Sequence, residues 1–240
     1  KYGNPNLEII EGVDAFDIKG IENAVQKTKP DYVLNCIGIV KQLAESNYAI
    51  PSIQINALLP HQLEKMADKY EFRLVHFSPD CVFSGKKGPY HQTDLSDVND
   101  LYGMTKFLGE VKGSRALTIR SSIVGREFVK PTGLIEWFLS QKGKAVKGYK
   151  NALYSGLTTN AMTDLLLFLI EKHPDLSGLY HVSSAAISKY DLLVLVNDIA
   201  KNQAVIEADT QFCCDRRLAM NEFHNDTGWA SDNWETMIKT

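Results

Sequence analysis

The sequence predicts an α/β protein in which helices cover both faces of a parallel sheet and a smaller lobe follows at the C-terminal end. Three apolar runs, at residues 32–38, 73–77 and 116–124, alternate with segments of helical periodicity. Strands and helices that alternate at these lengths are typical of βαβ units, which build parallel sheets. After Gly125 the pattern becomes irregular. We therefore assign residues 1–126 to the sheet domain and residues 127–240 mainly to the second lobe.

The first half of the chain supplies the elements of the predicted sheet. We expect a short strand over residues 7–10 and a helix over residues 21–27. The run at 32–38 is continuously apolar and ends in glycine, as in a strand buried on both faces. Pro51 suits the first turn of a helix that extends to Tyr70. The apolar positions of this helix share one face, and they are Ile55, Leu58, Leu59, Leu63 and Met66.

The remaining elements follow in order along the chain. A polar loop over residues 78–100 leads to a helix from Tyr102 to about Lys112, and the third strand covers residues 116–124. Beyond Gly125 we expect an amphipathic helix from Leu134, a basic and irregular stretch over residues 142–154, and an apolar helix over residues 160–173. A short strand at 179–182 precedes a helix that Ser188 caps at its N-terminus.

Composition excludes several classes of function. Of the 240 residues, 44% are hydrophobic and 23% are charged, the net charge is −3, and no basic run stands out. Nucleic acid is therefore not an expected partner. The longest apolar stretch, Leu165–Ile170, is too short to span a bilayer, so no membrane partner is expected. The cysteines form no C-x-x-C pair and no secretory signal precedes them, which predicts a reduced, cytoplasmic protein. No histidine spacing predicts a metal site.

Polar and small residues follow each of the three predicted strands. The strand ends are Cys36-Ile37-Gly38, Ser78-Pro79-Asp80 and Ser121-Ser122-Ile123. Ligands of parallel α/β sheets bind at the carboxyl ends of the strands. The sequence therefore predicts a ligand site along this edge.

Tyr102 and Lys106 carry the chemistry that the sequence predicts for that site. Residues four apart lie on one face of a helix, and an ammonium near a phenol favours the phenolate and lowers the pKa of the tyrosine. A tyrosine tuned in this way can exchange a proton near neutral pH.

Five segments in the same order resemble the extended short-chain dehydrogenases/reductases, and within them the dTDP-4-dehydrorhamnose reductase (RmlD-like) family. These segments are Asn35-Cys36-Ile37-Gly38, residues 55–61 with Asn56, Phe77-Ser78-Pro79-Asp80-Cys81-Val82-Phe83-Ser84-Gly85, the Y-G-x-x-K-x-x-G-E helix from Tyr102 to Glu110, and Ile119-Arg120-Ser121-Ser122 with Gly125. Asp215-Arg216-Arg217-Leu218 also resembles the family's D-R-x-L. The resemblance implies a Rossmann-like domain with a C-terminal substrate lobe.

The resemblance also implies roles for individual residues. Tyr102 would donate a proton to a sugar ketone, Lys106 would hold the nicotinamide ribose, and Asn56 would support Lys106. The cofactor, NADP or NAD, would contact Cys36, Ile37 and Gly38 at one strand end and Ser121 and Ser122 at another, besides Tyr102 and Lys106. The implied activity is NAD(P)H-dependent reduction of a 4-keto nucleotide sugar in surface polysaccharide synthesis, and a homodimer is one expected assembly.

Two departures from the family pattern keep alternatives open. The glycine-rich nucleotide fingerprint, expected with the first β-α-β unit, is absent from this chain, so we expect an N-terminally incomplete sheet. Pro79 occupies the position of the family's catalytic serine or threonine, so the hydrogen bond that polarises the ketone would be lost or moved. Ser78 is the candidate catalytic hydroxyl, although along a strand it would point to the opposite face, and Ser84 in the following loop could swing in to contact the substrate. Arg216 and Arg217 are candidates for binding a diphosphate. A nucleotide-sugar epimerase or dehydratase and a non-catalytic regulatory subunit are the alternative functions.

Overall fold

The computed structural model describes residues 8–41, 47–127 and 133–240. Its strands are β1 (Tyr32–Asn35), β2 (Arg73–Ser78), β3 (Ala116–Arg120), β4 (Ile123–Val124), β5 (Ala145–Tyr154), β6 (Leu157–Thr158), β7 (Gly178–His181), β8 (Ile187–Ser188) and β9 (Val205–Asp215). Its helices are α1 (Ile18–Thr28), α2 (Ala49–Ser52), α3 (Leu59–Tyr70), α4 (Leu101–Leu108), α5 (Leu134–Leu139), α6 (Thr159–Lys172), α7 (Lys189–Ala200), α8 (Asn221–Thr227) and α9 (Trp234–Lys239).

A parallel sheet with the strand order β1-β2-β3-β7 organises the molecule, which confirms the predicted fold class. Alternate residues of β2 face opposite sides of this sheet. Leu74 packs with α1 and α3 in one buried cluster, whereas Val75 packs with α6 and α7 in another. The order also shows that β7, which lies beyond residue 127 in the sequence, belongs to this sheet. The division of the chain into two units at residue 127 stays a prediction.

A second sheet, with the order β8-β5-β9, stands beside the first. The expectation that residues 142–154 are irregular is wrong, because β5 pairs in parallel with β9 along most of its length. The pairing register shifts between Tyr149 and Asn151. This bulge interrupts the period-2 pattern by which a strand is recognised in a sequence.

Several expected boundaries also differ from the structure. Residues 8–10 form no strand, and Leu7 lies outside the described residues. The strand expected over 32–38 ends at Asn35, and Leu34 is 41% exposed, because β1 lies at the edge of the described sheet. Helix α4 ends at Leu108, and the third strand ends at Arg120 before the separate short strand β4.

The helix expected from Pro51 to Tyr70 is present but contains a π-helical segment, Ile53–Leu58, between α2 and α3. The backbone N–H of Leu59 donates to the carbonyl of Gln54, five residues earlier. This wider turn changes the angular register of the helix. Ile55 and Leu59 remain buried as predicted, whereas Leu58 is exposed.

Polar side chains cap the helices around the sheet. Asp17 caps α1, Thr158 caps α6, and Ser188 caps α7 by accepting a hydrogen bond from the backbone of Asp191, as predicted. Within the ranges given above, none of the helices combines the length and the apolar character that crossing a membrane requires.

Candidate active site

A cleft of about 730 Å³ opens at the carboxyl ends of β1, β2 and β3. Helix α5, strand β5 and the start of α7 form its opposite wall. The structure brings nine of the predicted site residues to its surface, which are Cys36, Ile37, Gly38, Ser78, Tyr102, Lys106, Ser121, Ser122 and Arg216. Three other predicted residues, Asn56, Ser84 and Arg217, do not line it.

Helix α4 presents Tyr102 and Lys106 to this cleft from one face. Asp100 caps the helix by accepting a hydrogen bond from Gly103 N at 3.0 Å, and its other carboxylate oxygen pairs with Lys41 Nζ at 2.9 Å. A Cβ at Gly103 would lie 2.5 Å from the carbonyl oxygen of Cys81. The absence of a side chain at Gly103 therefore lets α4 approach the turn that follows β2 and fixes the position of Tyr102 beside it.

The pKa of Tyr102 is raised above its usual range, which corrects the expectation that Lys106 lowers it. Burial is the main cause, and the nearby Cys81, Asp80 and Asp100 add to it by disfavouring the phenolate. No residue of the described chain forms a hydrogen bond to the Tyr102 hydroxyl. In this protein Tyr102 consequently retains its proton at neutral pH.

Lys106 is buried, with 6% of its surface exposed. Its Nζ donates a hydrogen bond of 2.8 Å to the carbonyl oxygen of Phe77. Burial lowers the pKa of Lys106 to about 8, and the charge of Glu110 opposes this shift. The side chain is thus a cation at neutral pH that a strand carbonyl holds at the edge of the cleft.

Asn56 lies behind the cleft in the π-helical segment. Its Oδ1 accepts a hydrogen bond from Ile39 N, and its Nδ2 donates to Ile39 O, both at 2.9 Å. A weaker contact of 3.4 Å joins Nδ2 to Thr105 Oγ1 on α4. Asn56 therefore positions the segment after β1 against α4. The support of Lys106 that the resemblance implies stays a prediction.

The Ser78 hydroxyl belongs to a buried polar network. It donates to Glu110 Oε1 at 2.7 Å, and Arg120 contacts both oxygens of Glu110 at 2.6 Å. Arg120 Nη1 also lies 3.1 Å from His181 Nε2, and burial, with the charge of Arg120, lowers the pKa of His181 to about 3. Because the Ser78 hydroxyl already donates to Glu110, the structure argues against Ser78 as the group that polarises a substrate ketone.

The structure also separates Ser84 and Arg217 from the cleft. Ser84 Oγ donates to Asp97 at 2.6 Å. Arg217 forms two hydrogen bonds, of 2.9 and 2.6 Å, with the carboxylate of Asp215. The prediction that these two residues contact the substrate is not supported, because each is already bonded to a carboxylate outside the cleft.

Sequence reasoning missed several residues of the opposite wall. Lys189, Trp137, Tyr149, Phe212 and Cys214 all line the cleft. The rings of Tyr149 and Phe212, from β5 and β9, lie 4.9 Å apart. No local motif marks these residues. The grouping of Tyr149, Phe212 and Cys214 depends on the pairing of two strands that are about sixty positions apart in the sequence.

The residues at the sheet edge fit a nicotinamide dinucleotide. Cys36 and Ile37 are exposed, and Asn35 Oδ1 fixes this turn by accepting a hydrogen bond of 3.2 Å from Ile37 N. Gly38 leaves room for close approach, since the nearest atom to a Cβ there would be Asn56 Oδ1 at 3.5 Å. An exposed turn at the end of β1 and a buried ammonium on α4 thus face the same space.

Three comparisons relate this chain to known proteins. The profile of the RmlD substrate binding domain matches residues 8–212. The dTDP-4-dehydrorhamnose reductase of Salmonella typhimurium is 27% identical over 213 residues, which cover 82% of this chain and 69% of that protein. Methionine adenosyltransferase 2 subunit beta of Bos taurus is 27% identical over 100 residues, which cover 42% of this chain and 30% of that protein.

A solved structure shows the same fold. The dTDP-4-dehydrorhamnose reductase of Bacillus anthracis, determined in complex with NADP, superimposes with a TM-score of 0.80 at 17% identity. The match covers 94% of this chain and 84% of that one.

Proposed function

The chain belongs to the family of RmlD substrate binding domains, and from this premise we propose that it reduces the keto group of a nucleotide sugar with NADPH or NADH. One observation carries the proposal: Tyr102 and Lys106 line the same cleft from one face of α4, next to the strand ends. The relative from Salmonella typhimurium, named as a dTDP-4-dehydrorhamnose reductase, supports a 4-keto sugar as the substrate.

The protonated state of Tyr102 at neutral pH suits the direction of this reaction. A bound nicotinamide cofactor would supply the hydride. The ketone oxygen then gains negative charge and needs a proton, which a neutral tyrosine can donate. Tyr102 holds its proton at neutral pH and can therefore act as the general acid, although the burial that raises its pKa makes it a weaker acid than an exposed tyrosine.

Residues at the edge of the sheet would hold the cofactor. The turn Cys36–Gly38 would contact the dinucleotide through its backbone, and Lys106 would donate hydrogen bonds to the ribose. Ser121 and Ser122 follow β3 and line the cleft beside them. Asn56 would act indirectly, by holding Ile39 and with it the end of that turn.

A turnover assay with a matched variant tests the proposal. We expect the protein to oxidise NADPH, followed at 340 nm, when dTDP-4-dehydrorhamnose is added, and we expect Tyr102→Phe to lower kcat by at least about a hundredfold, as the loss of a general acid does. The variant should keep the unfolding temperature of the wild type. Equal turnover in the two proteins would refute the role of Tyr102. Sugar conversion without net oxidation of NADPH would instead indicate an epimerase or a dehydratase.

A regulatory subunit is the second candidate, and Pro79 favours it. Proline offers neither a hydroxyl nor an N–H at the cleft, and Ser78 donates its hydroxyl to Glu110. The partial similarity to methionine adenosyltransferase 2 subunit beta points the same way. Tight binding of a partner enzyme by a protein that shows no turnover would support this candidate over the reductase.

Assembly and location complete the proposal. We propose a homodimer, to be tested by light scattering of the purified protein. We also propose a cytoplasmic location, which the free thiols of all four cysteines support.

A further inference from the structure

Neither residue at the end of β2 offers a free hydroxyl to the cleft. The Ser78 hydroxyl donates to Glu110 at 2.7 Å, and Pro79 carries neither a hydroxyl nor an N–H. A ketone that accepts a hydride develops negative charge on its oxygen, and donors fixed around that oxygen stabilise the transition state. Tyr102 supplies one such donor. A second donor is therefore expected from a neighbouring part of the cleft.

Ser121, which follows β3, is the neighbour of Pro79 across the two strands. Ser78 and Arg120 are paired in the register of β2 and β3, and both side chains contact Glu110. The backbone N–H of Ser121 donates to the carbonyl oxygen of Ser78 at 2.8 Å, which continues the pairing beyond the end of β3. Pro79 is itself extended, with a φ of −85° and a ψ of 166°. The two residues therefore lie side by side at the edge of the sheet.

The side chains of Pro79 and Ser121 lie on the face of the sheet opposite to Glu110. Alternate residues of a strand point to opposite faces. Val75 on β2 and Ile119 on β3 both pack into the buried cluster that contains α6 and α7. Each precedes Pro79 or Ser121 by an even number of residues, so these two residues share that face. The Ser121 hydroxyl therefore points to the same side as a hydroxyl at position 79 would.

The Ser121 hydroxyl is buried but only weakly bonded. Ser121 is 6% exposed, and it lines the cleft together with Tyr102. Among the described residues its Oγ has one hydrogen-bond partner, the carbonyl oxygen of Ser122 at 3.4 Å. This distance is long for a bond donated by a hydroxyl, which is normally about 2.5–3.0 Å. The hydroxyl can therefore turn to a better acceptor in the cleft at little cost, unlike that of Ser78.

We propose that the Ser121 hydroxyl donates a hydrogen bond to the ketone oxygen of the substrate, in place of the hydroxyl that Pro79 lacks. This role rests on the proposed function, and it moves Ser121 from contact with the cofactor to contact with the substrate. The carbonyl carbon gains the hydride of the reduced nicotinamide, and the oxygen takes the proton of Tyr102. The Ser121 hydroxyl keeps its own proton throughout and only polarises the ketone.

Two matched serine variants test the role by steady-state kinetics. Ser121→Ala should lower kcat by about a hundredfold, as the loss of one oxyanion donor does, and should change the KM of the sugar by less than about threefold, because the bond strengthens as charge develops. Ser183→Ala is the control. Ser183 is 5% exposed, follows β7 beside β3, and donates to the carbonyl oxygen of Leu218 at 2.8 Å outside the cleft. This variant should keep the kcat of the wild type.

A second substitution tests whether Ser121 and position 79 serve the same oxygen. In the Ser121→Ala protein, Pro79→Ser should raise kcat by a larger factor than it does in the wild type, because two hydroxyls that bond one oxygen have effects that do not add.

Two measurements test Ser121 without turnover. The affinity of Ser121→Ala for NADPH, titrated by fluorescence, should stay within about twofold of the wild type. Infrared difference spectra of the keto sugar bound together with NADP, a complex that cannot react, report the C=O stretching band. This band should lie at higher frequency in Ser121→Ala than in the wild type, because the carbonyl is less polarised.

Three results would overturn the role of Ser121. These are a Ser121→Ala protein whose kcat and C=O band match those of Ser183→Ala, a loss of NADPH affinity with an unchanged kcat, and a loss of kcat in Ser122→Ala alone. The second result would return Ser121 to the cofactor. A wild-type protein that oxidises no NADPH, but whose bound keto sugar shows the band shift in Ser121→Ala, would refute the proposed reductase and leave the Ser121 contact in place.

Discussion

Removing one partner of the Glu110–Arg120 ion pair should destabilise the protein strongly. Both side chains are 2% exposed, and two hydrogen bonds of 2.6 Å join them. Breaking a buried pair from one side leaves an uncompensated charge in the interior and costs about 3–5 kcal/mol. We expect Arg120→Met to lower the free energy of unfolding by that amount. For a chain of this size the loss corresponds to a fall in Tm of about 6–20 °C.

The position of the pair adds a functional consequence. Glu110 follows α4, Arg120 ends β3, and the pair also contacts Ser78 at the end of β2 and His181 on β7. The network therefore joins three neighbouring strands beneath the cleft to the helix that carries Tyr102. An Arg120→Met protein that still folds should have a lower kcat, because Tyr102 is held less firmly.

Urea denaturation of a double-mutant cycle measures the effect. The variants are Arg120→Met, Glu110→Leu and the double variant, in which no buried charge is left unpaired. We expect the double variant to be more stable than either single variant. Lys239→Met breaks the exposed pair with Glu235 and should cost less than about 1 kcal/mol. The reasoning is refuted if Arg120→Met costs no more than Lys239→Met, or if the two single effects simply add.

Three further variants test the geometry around the cleft. Because burial lowers the pKa of Lys106 to about 8, its cation is lost above that pH, so NADPH affinity should fall above pH 8 in the wild type but not in Lys106→Met. In the unfolded chain Lys106 keeps its proton to higher pH. The free energy of unfolding, measured by urea denaturation, should therefore rise between about pH 8 and 10 in the wild type but not in Lys106→Met. Pro79→Ser restores a hydroxyl at the cleft and should raise kcat by about tenfold or more if the protein is a reductase; an unchanged kcat would contradict this. Gly103→Ala forces a Cβ against the Cys81 carbonyl and should lower kcat and Tm together, whereas a wild-type kcat would show that α4 can shift freely.

The sequence predicted those parts of the site that depend on local patterns. The spacing of Tyr102 and Lys106 places both side chains on one helix face wherever the helix lies. The ends of β1, β2 and β3 meet at one edge because neighbouring parallel strands must do so. Both inferences require only the order of the elements along the chain.

The parts that failed depend on distant neighbours. The pKa of Tyr102 follows burial and the carboxylates around it, which the single lysine four residues away did not reveal. Arg216 and Arg217 are adjacent in sequence, yet one lines the cleft and the other pairs with Asp215, because successive side chains near a strand end point in different directions. Lys189 joins the site through the packing of α7 against β5, which the sequence pattern did not predict.

The extra residue within the π-helical segment has a consequence for any attempt to engineer this protein. Deleting one residue after Asn56, such as the exposed Leu58, would let the polypeptide relax into regular α-helical winding. Each residue of such winding turns the chain by about 100°. The deletion would therefore rotate Asn56 away from Ile39 relative to α3 and release the loop beside it. The shortened chain would have more regular hydrogen bonding in this helix but would be a poorer scaffold for binding. The π-helical segment, rather than regular α-helix, sets the orientation of Asn56 between α3 and the loop after β1.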